Sequence, residues 1–461
     1  MNYSRRQFLR SFGTTTAGLF LAPYVKSANV LAYAHNEDAL SAAKVAVARA
    51  STYDRSLIKT KVQHLFESID GIGDIMKAGK RVAIKINLTG GSGSAASPKL
   101  SGFPITESMW THPEVLRAVG ELIIDCGVQP SDIFFVEALW DAASYNNFGF
   151  VAVQQSLGAQ FVNLNNQAPY TSFIQKDVGE KRFYYNSFTM NQVLSDVDVY
   201  VSIPKMKQHY DAGVTASLKN QVGIVPLLNY VMPGLNDGRR SMLHFQGGDI
   251  AFHLPHSICD LTFARPVHLA VIDGVRNALG GEGVWNPTFR TFQHNVLLAG
   301  KDPVATDSVA AYLMGNNPEA DKFQLPDGVR QCDNYLSLLR SKGVGTNRMN
   351  EIQIVGEGAG MVTFVQPREQ ILLPDGIQLC QNYPNPFNPS TTIVFSLPKA
   401  GHVRLTLHDI IGQEIETLVD GEVPAGQHKL HWTAKNLASG VYIYRMQTDG
   451  FIESKKLIYQ K

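Results

Sequence analysis

Residues 197–204 read Val-Asp-Val-Tyr-Val-Ser-Ile-Pro, and this stretch decides the fold class of the larger part of the chain. The run is short, mostly apolar and rich in β-branched residues, which indicates a buried strand. Helical patterns separate it from similar runs, and the clearest helix is predicted over 113–126, with Thr111 as its N-cap and Gly127 at its end. The alternation predicts an α/β core of three layers with a largely parallel sheet. The other predicted strands are 81–87, 133–137, 160–163, 267–273 and 295–300.

Polar residues follow several of these strands. Because ligands of such sheets bind beyond the carboxyl ends of the strands, we expect a binding site there. The residues at these ends are Asn87, Glu137, Lys205 and Asp273.

The segment after Pro204 carries the strongest chemical pattern. If the chain stays extended, Lys205, Lys207 and His209 share one face, and three neighbouring cations favour a phosphate or carboxylate ligand. Lys207 and His209 could also transfer protons. Thr215 and Lys219 are four residues apart and would share a face of a helix that Gly223 ends. The alternative is that the lysines extend along the surface and that His209 is an ordinary capping residue.

A second group of residues suggests a metal site. His244 and Asp260 lie in a stretch that also holds Asp249, His253 and His256. These are residue types that bind divalent metals, but structural histidines are the alternative for His253 and His256. An oxygen-rich site could instead draw on Asp273, Asp302 and Asp307, although Asp302 before Pro303 is typical of a helix N-cap.

The sequence carries no clear signature of an iron–sulfur cluster or of a dinucleotide cofactor. The four cysteines are widely separated, so no local motif encodes an iron–sulfur cluster. Whether any two of them form a disulfide is not decided by their spacing. The glycine-rich stretch 89–96 contains G-x-G-x-x-A, but Pro98 argues against a dinucleotide fingerprint, and we interpret it as a mobile loop over the site. The cofactor is therefore unknown, with a metal ion as one option.

Five sequence blocks of the core, in this order, resemble the domain of unknown function family 362 over about residues 45–355. The blocks are Val82-Ala-Ile-Lys-Ile-Asn-Leu88, the stretch from Pro204 to Gly223, His244 with Asp260-Leu261, Val271-Ile-Asp-Gly274 and 298–307. The resemblance supports a ligand site that includes Lys207, His209, Lys219, Asn220 and His244. The chemistry of the family is not settled. Some members carry an added ferredoxin module, which is missing here.

The last eighty residues resemble the C-terminal sorting domain of type IX secretion cargo. The resemblance rests on Asn382-Tyr-Pro-Asn-Pro-Phe-Asn-Pro389, Gly412, Ala438-Ser-Gly-Val-Tyr442 and Lys455-Lys456. Alternating apolar residues in this part predict a small antiparallel β-sandwich. We therefore divide the chain into a signal (1–34), a core (37–365), a linker (366–380) and a sorting domain (381–461).

The amino-terminal segment resembles a twin-arginine signal peptide, and the alternative is Sec export of a sequence with a chance Arg-Arg pair. Arg5-Arg6 precede a moderately apolar stretch, and Ala32-Tyr33-Ala34 supplies a cleavage site. The stretch is too short to span a membrane, and no other stretch is long and apolar enough. The expected route leads through the twin-arginine and type IX machineries, by way of the periplasm, to secretion or attachment at the outer cell surface.

The charge balance excludes one class of partner. The chain has 41 basic and 40 acidic residues, and loss of the signal would leave 37 against 40. A slightly acidic chain is not typical of nucleic-acid binding. We predict an exported protein whose core binds an anionic small molecule or a metal-assisted substrate, and whether it is an enzyme stays open. The alternative is a non-catalytic surface-binding or scaffold protein that uses exposed aromatic residues, for which Trp110, Trp140, Tyr145 and Trp285 are candidates.

Overall fold

The structure is a computed structural model that describes residues 43–90, 99–100, 103–233, 240–245, 250–362, 377–382, 385–435 and 437–460. The signal 1–34, most of the glycine-rich stretch and most of the linker lie outside these residues. The chain divides into two compact units, Met1–Thr363 and Phe364–Lys461. In the described part of the chain, the helices are all too short or too polar to cross a membrane.

The first unit contains a large mixed sheet, mostly parallel. Its strands and those of three small hairpins are β1 Ala43–Arg49, β2 Val82–Ile86, β3 Lys99–Leu100, β4 Phe103–Pro104, β5 Ile133–Glu137, β6 Gln160–Asn163, β7 Phe173–Asp177, β8 Ser187–Asn191, β9 Val199–Ile203, β10 Lys205–His209, β11 Gly213–Thr215, β12 Leu269–Leu279, β13 Arg290–Phe292, β14 Val296–Gly300, β15 Lys322–Gln324, β16 Gln331–Asp333 and β17 Ile352–Val355. The main order across the sheet is β17-β1-β14-β12-β9-β2-β5-β6. Within the series β12-β9-β2-β5-β6 every adjacent pair of strands is parallel, whereas β14 is antiparallel to both β1 and β12.

The α-helices of this unit are Arg55–Ser68, Thr106–Met109, Pro113–Asp125, Ala142–Asn146, Phe150–Leu157, Val193–Asp196, Ser241–Phe245, Ile250–Ala264, Pro303–Leu313 and Tyr335–Ser341. Short 3-10 helices occupy Pro130–Asp132, Lys219–Ile224, Leu227–Tyr230, Met349–Glu351 and Ala359–Met361. Apolar residues of the sheet and of the helices Arg55–Ser68 and Pro113–Asp125 form one buried cluster. The predicted α/β fold class is thus confirmed.

The start of the helix Pro113–Asp125 differs from the prediction. His112, not Thr111, is the N-cap, and its Nδ1 accepts a hydrogen bond from the backbone N–H of Glu114. Thr111 is engaged elsewhere: its hydroxyl donates to the carbonyl of Ile203 and accepts from the backbone N–H of Asn87. The threonine therefore connects the ends of β2 and β9 instead of capping the helix.

The path from β9 to β10 positions the site. β9 ends at Ile203 beside β2, and after Pro204 the chain continues as β10, which pairs in parallel with β12 and antiparallel with β11. The pairing with β12 shifts register between Lys205 and Lys207. The extended chain predicted after Pro204 is therefore confirmed, and it runs beyond the carboxyl end of β9.

The second unit consists of two antiparallel sheets. Its strands are β18 Gln378–Leu379, β19 Ser390–Leu397, β20 Gly401–His408, β21 Glu414–Val423, β22 Gly426–Thr433, β23 Gly440–Thr448 and β24 Phe451–Tyr459. One sheet has the order β18-β19-β22 and the other β21-β20-β23-β24. Alternate residues of the strands, among them Phe395, Leu405 and Tyr444, form a shared buried core. The β-sandwich is confirmed.

Candidate functional site

The basic residues of β10 are buried, although lysine and histidine usually lie at the surface. Lys205 and Lys207 are fully buried, and His209 is nearly so. Residues two apart in a strand point to one side, so these side chains follow one another along one face. Their surroundings differ. Lys205 lies in a closed part of the site, where a carboxylate accepts its hydrogen bond, whereas Lys207 lies in an open part, where none of the described carboxylates does so.

The closed part is a buried ion pair. The ammonium of Lys205 donates to Oδ2 of Asp273 at 2.6 Å and to the hydroxyl of Tyr53 at 2.7 Å. The same hydroxyl donates to Oδ1 of Asp273, and the backbone N–H of His112 donates to Oδ2. The rings of Tyr53 and His112 stack at 3.7 Å between centroids. Lys205 and Asp273, both predicted to bind ligand, therefore satisfy each other.

A second closed network joins the ends of β2 and β5. The ammonium of Lys85 donates to Oε2 of Glu137 at 2.8 Å and to Oδ1 of Asn220 at 3.1 Å. The amide of Asn87 also donates to Oδ1 of Asn220. A Cβ added to Gly223 would lie 2.6 Å from Oε1 of Glu137, so only glycine fits against this pair. The network leaves one buried atom without a partner among the described residues, Oδ1 of Asn87.

Lys207 has no carboxylate bonded to it among the described residues. Its ammonium donates to the carbonyl of Met109 at 2.5 Å and to the hydroxyl of Thr89 at 3.2 Å. Burial lowers the pKa of Lys207 to about 7, because the negative charge of Glu282 only partly offsets desolvation and the nearby charge of Lys219 adds to it. Lys207 is therefore divided between its charged and neutral forms near neutral pH.

Lys219 differs from Lys207 in its hydrogen bonding. It is buried, and within the described residues no hydrogen bond or ion pair is made by its ammonium. Burial lowers its pKa to about 8, although the charges of Glu282 and Asp211 favour the protonated form. An ammonium in this position needs an anion or water to complete its hydrogen bonding.

His209 and His244 complete the basic cluster. Burial lowers the pKa of His209 well below its ordinary value, and the charge of Lys219 lowers it further. Nδ1 of His209 accepts from the backbone N–H of Asp211 at 3.1 Å, which leaves Nε2 as the ring atom that can carry the proton. Burial and the charge of Lys219 lower the pKa of His244 to about 4. Both rings are therefore neutral at pH 7.

Glu282 is the acidic residue of this cluster that the sequence reasoning missed. Its Oε2 accepts from the backbone N–H of Tyr210 at 3.1 Å, and its Oε1 accepts from the indole N–H of Trp285 at 3.0 Å. Burial raises the pKa of Glu282, but the interaction with His209 and these two hydrogen bonds outweigh burial and lower it. Glu282 lies 73 residues from His209 in the chain and belongs to no motif, so no local signal could have indicated it.

The relation predicted between Thr215 and Lys219 is wrong. Thr215 ends β11 opposite Lys207 in the register, whereas Lys219 begins a 3-10 helix. Asp307 causes the break, because its carboxylate accepts from the backbone N–H groups of Ser217 and Leu218 and fixes a turn between them. The hydroxyl of Thr215 is buried and has no partner among the described residues. Thr215 pairs with Lys207 in the register, and its role in ligand binding stays a prediction.

The two predicted metal ligands have different neighbours. Both carboxylate oxygens of Asp260 accept backbone N–H bonds, from Phe183, Tyr184 and Tyr185. Nδ1 of His244 instead lies 3.2 Å from the carbonyl of Arg240. In the described ranges, no group of three or more His, Cys, Asp or Glu residues could hold a metal ion. Metal binding by His244 and Asp260 stays a prediction. Asp302 does cap the helix Pro303–Leu313.

Two comparisons with known proteins bear on this arrangement. Residues 82–312 match the family described as "Domain of unknown function (DUF362)", and residues 381–460 match the family described as "Secretion system C-terminal sorting domain". The chain is also similar to a thylakoid-associated protein of Synechocystis sp., with 23% identity over 281 residues that cover 59% of this chain and 75% of that protein.

The first match covers half of the chain, so the protein belongs to the DUF362 family. The second identifies a type IX sorting domain, and the protein is accordingly secreted or attached to the outer cell surface. The resemblances inferred from the sequence blocks of the core and of the tail are both confirmed.

Proposed function

We propose that this member of the DUF362 family binds an anionic small molecule, through a phosphate or carboxylate group, beside Lys207, His209 and Lys219. The observation that carries the proposal is Lys219, whose side chain is 8% exposed and whose ammonium makes no hydrogen bond or ion pair within the described part of the chain. Burial lowers the pKa of Lys219 to about 8, and a bound anion would stabilise its charged form.

Two unsatisfied polar atoms of predicted site residues support the same interpretation. The hydroxyl of Thr215 and Oδ1 of Asn87 are buried and unsatisfied among the described residues. Unsatisfied buried polar groups are few in native proteins and require an explanation such as a bound ligand or water. Lys205 and Asn220 frame the site from their own closed networks and would act by positioning, not by ligand contact.

The protonation states suit proton transfer next to the bound anion. A lysine with a pKa of about 7 can accept a proton near neutral pH, and a neutral His209 with Nδ1 engaged can donate a hydrogen bond from Nε2. We propose that Lys207 accepts a proton from the ligand while His209 holds the ligand by this hydrogen bond, a first step of an enzymatic reaction. If the ligand is bound without turnover, the protein is a binding protein, and this is the second candidate function.

Phosphate protection tests the anion site. Thermal unfolding of the purified chain would be measured with and without millimolar inorganic phosphate, for the wild type, Lys219→Met, Lys207→Met and the exposed control Lys322→Met. We expect phosphate to raise the midpoint of the wild type and of the control, because a ligand that binds only the folded state stabilises it. The two site variants should show little or no increase. An equal increase in all four proteins would show that phosphate acts elsewhere and would contradict the proposal.

We further propose that the chain is exported through the twin-arginine machinery and crosses the outer membrane by the type IX system. The proposal rests on Arg5-Arg6 and on the sorting domain. Replacement of both arginines by lysine should leave the precursor in the cytoplasm, and removal of 381–461 should leave the processed chain in the periplasm. Unchanged export of the double-lysine variant would contradict the twin-arginine route.

A further inference from the structure

Two tryptophans lie side by side at the surface of the core. Trp140 and Trp285 are 41% and 42% exposed, their ring centroids are 6.0 Å apart and their planes are inclined at 40°. The other aromatic candidates from the sequence, Trp110 and Tyr145, are buried. Two adjacent exposed indoles form an apolar surface that water solvates poorly, and such surfaces commonly mark binding sites.

The position of this pair in the fold is that of the predicted ligand site. Trp140 follows the carboxyl end of β5, three residues after Glu137. Trp285 follows the carboxyl end of β12. Parallel pairing through β9 and β2 relates β5 and β12, so both tryptophans emerge at the same edge of the sheet. This is the edge at which open parallel sheets bind their ligands.

Trp140 is in contact with the segment that reaches Lys207. A Cβ added to Gly90 would lie 2.4 Å from the Trp140 ring, so the indole lies directly against the backbone there. The preceding residue, Thr89, contacts the ammonium of Lys207 at 3.2 Å. The indole therefore packs against Gly90, and the adjacent residue, Thr89, contacts the basic cluster.

Trp285 is joined to the cluster through Glu282. The indole N–H donates to Oε1 of Glu282 at 3.0 Å, and the charge of this carboxylate raises the pKa values of Lys207 and Lys219. The hydrogen bond fixes the indole with part of its face exposed. The exposed tryptophan pair thus lies next to the buried cations and is joined to them through Thr89 on one side and Glu282 on the other.

We infer that the ligand carries a planar aromatic group, which lies on Trp140 and Trp285, and an anionic group, which reaches Lys207 and Lys219. The two indoles are inclined and too close to admit a third ring between them, so the aromatic group lies across their exposed faces. The unsatisfied atoms of Thr215 and Asn87 favour a polar connection between the two groups. A mononucleotide has this chemistry. The inference rests on the proposed anion site and specifies its ligand class.

Calorimetric titration with AMP and with ribose 5-phosphate tests the inference, because the two ligands share the phosphate and sugar but only AMP has the aromatic ring. Stacking of a base on aromatic side chains contributes about 1–3 kcal/mol, so the wild type should bind AMP at least about fivefold more tightly. In a Trp140→Leu/Trp285→Leu variant this preference should disappear while ribose 5-phosphate binds as before. A Trp140→Phe/Trp285→Phe variant, which keeps two rings, should retain it.

The outcomes separate this inference from the anion site. Lys219→Met should weaken both ligands, because it removes the shared phosphate contact. If the wild type binds both ligands equally, or if the double leucine variant keeps the preference for AMP, the aromatic part is wrong and the anion site stands. If the wild type binds neither ligand, the anion site fails and the inference fails with it.

Discussion

Lys205 and Lys207 are two residues apart on one strand, face the same side and are both fully buried, yet their surroundings are opposite. Lys205 has an aspartate at 2.6 Å and a tyrosine hydroxyl at 2.7 Å. Lys207 donates only to a carbonyl and a hydroxyl, and the charge of Lys219, a cation without a carboxylate bonded to it, lowers the pKa of Lys207. The same contrast recurs between Lys85, which is paired with Glu137, and Lys219.

The comparison shows that burial alone does not mark a functional lysine. A buried lysine with a carboxylate of its own is part of the framework, and removal of either partner leaves an uncompensated charge. A buried lysine without a carboxylate partner destabilises the folded protein, and binding of an anionic ligand beside it would restore stability. In this protein the framework pairs lie beside the open cations and keep them in place, so the two classes can be separated by their response to mutation.

The largest effect is expected from breaking the closed pair. Lys205→Met leaves the carboxylate of Asp273 buried with only neutral donors, from Tyr53, His112 and Val275, and should lower the free energy of unfolding by about 3–5 kcal/mol. Lys207→Met removes a buried charge and should leave the free energy of unfolding unchanged or raise it at pH 7 without ligand, because the relieved desolvation outweighs the lost hydrogen bonds to Met109 and Thr89. Urea unfolding of the purified variants measures both.

A double variant provides the control for this experiment. Adding Asp273→Asn to Lys205→Met removes the orphaned charge and should recover part of the lost stability, because the asparagine can still accept hydrogen bonds. A Lys207→Met variant as unstable as Lys205→Met would show that the two lysines are equivalent and would contradict the division into framework and open cations.

The next effect is on the pH dependence of stability. The pKa of Lys207 is lowered to about 7 in the folded chain, against about 10.4 in an unfolded chain. Between these values the unfolded state binds the additional proton, so stability rises with pH, by at most about 1.4 kcal/mol per pH unit for one group. The difference in unfolding free energy between wild type and Lys207→Met should therefore shift in favour of the wild type from pH 7 to 10. A difference that is constant with pH would refute the lowered pKa.

Anion affinity should change with pH in the opposite direction. Sulfate keeps its charge over this range, so a change in its binding reports on the protein. As Lys207 and Lys219 lose their protons above their pKa values of about 7 and 8, sulfate should bind roughly tenfold more weakly at pH 9 than at pH 6.5. Lys205→Arg, which keeps the closed pair charged, should show the same profile. A profile independent of pH would exclude both lysines from the site.

The fold could be predicted from the sequence because its signals are local. The apolar runs at Ile133–Glu137 and Gln160–Asn163 are strands with the predicted bounds, and spacing two correctly placed the three basic residues of β10 on one strand. Each of these signals depends on residues close together in the chain, where periodicity and turn residues act.

The pairing of the site residues could not be predicted in this way. Spacing does not reveal that Asp273 neutralises Lys205 while Glu282 lies near the open cations, since both partners come from β12 and the segment after it. The helix expected to join Thr215 and Lys219 fails for the same reason, because the turn between them is fixed by Asp307, about ninety residues later. Residues far away in the chain therefore determine which of the predicted site residues are already paired and which can contact a ligand.

The smallest effect compares two buried threonines that differ as the lysines do. The hydroxyl of Thr215 has no partner among the described residues, whereas that of Thr111 donates to the carbonyl of Ile203 and accepts from the backbone N–H of Asn87. Thr215→Val should therefore stabilise the ligand-free chain by up to about 1 kcal/mol, and Thr111→Val should destabilise it by about 1–3 kcal/mol, because only the second substitution leaves buried groups unsatisfied. Urea unfolding without added anions measures the signs. If Thr215→Val also destabilises the chain, then its hydroxyl has a partner in the folded protein, and the site would offer the ligand one fewer polar contact than we infer.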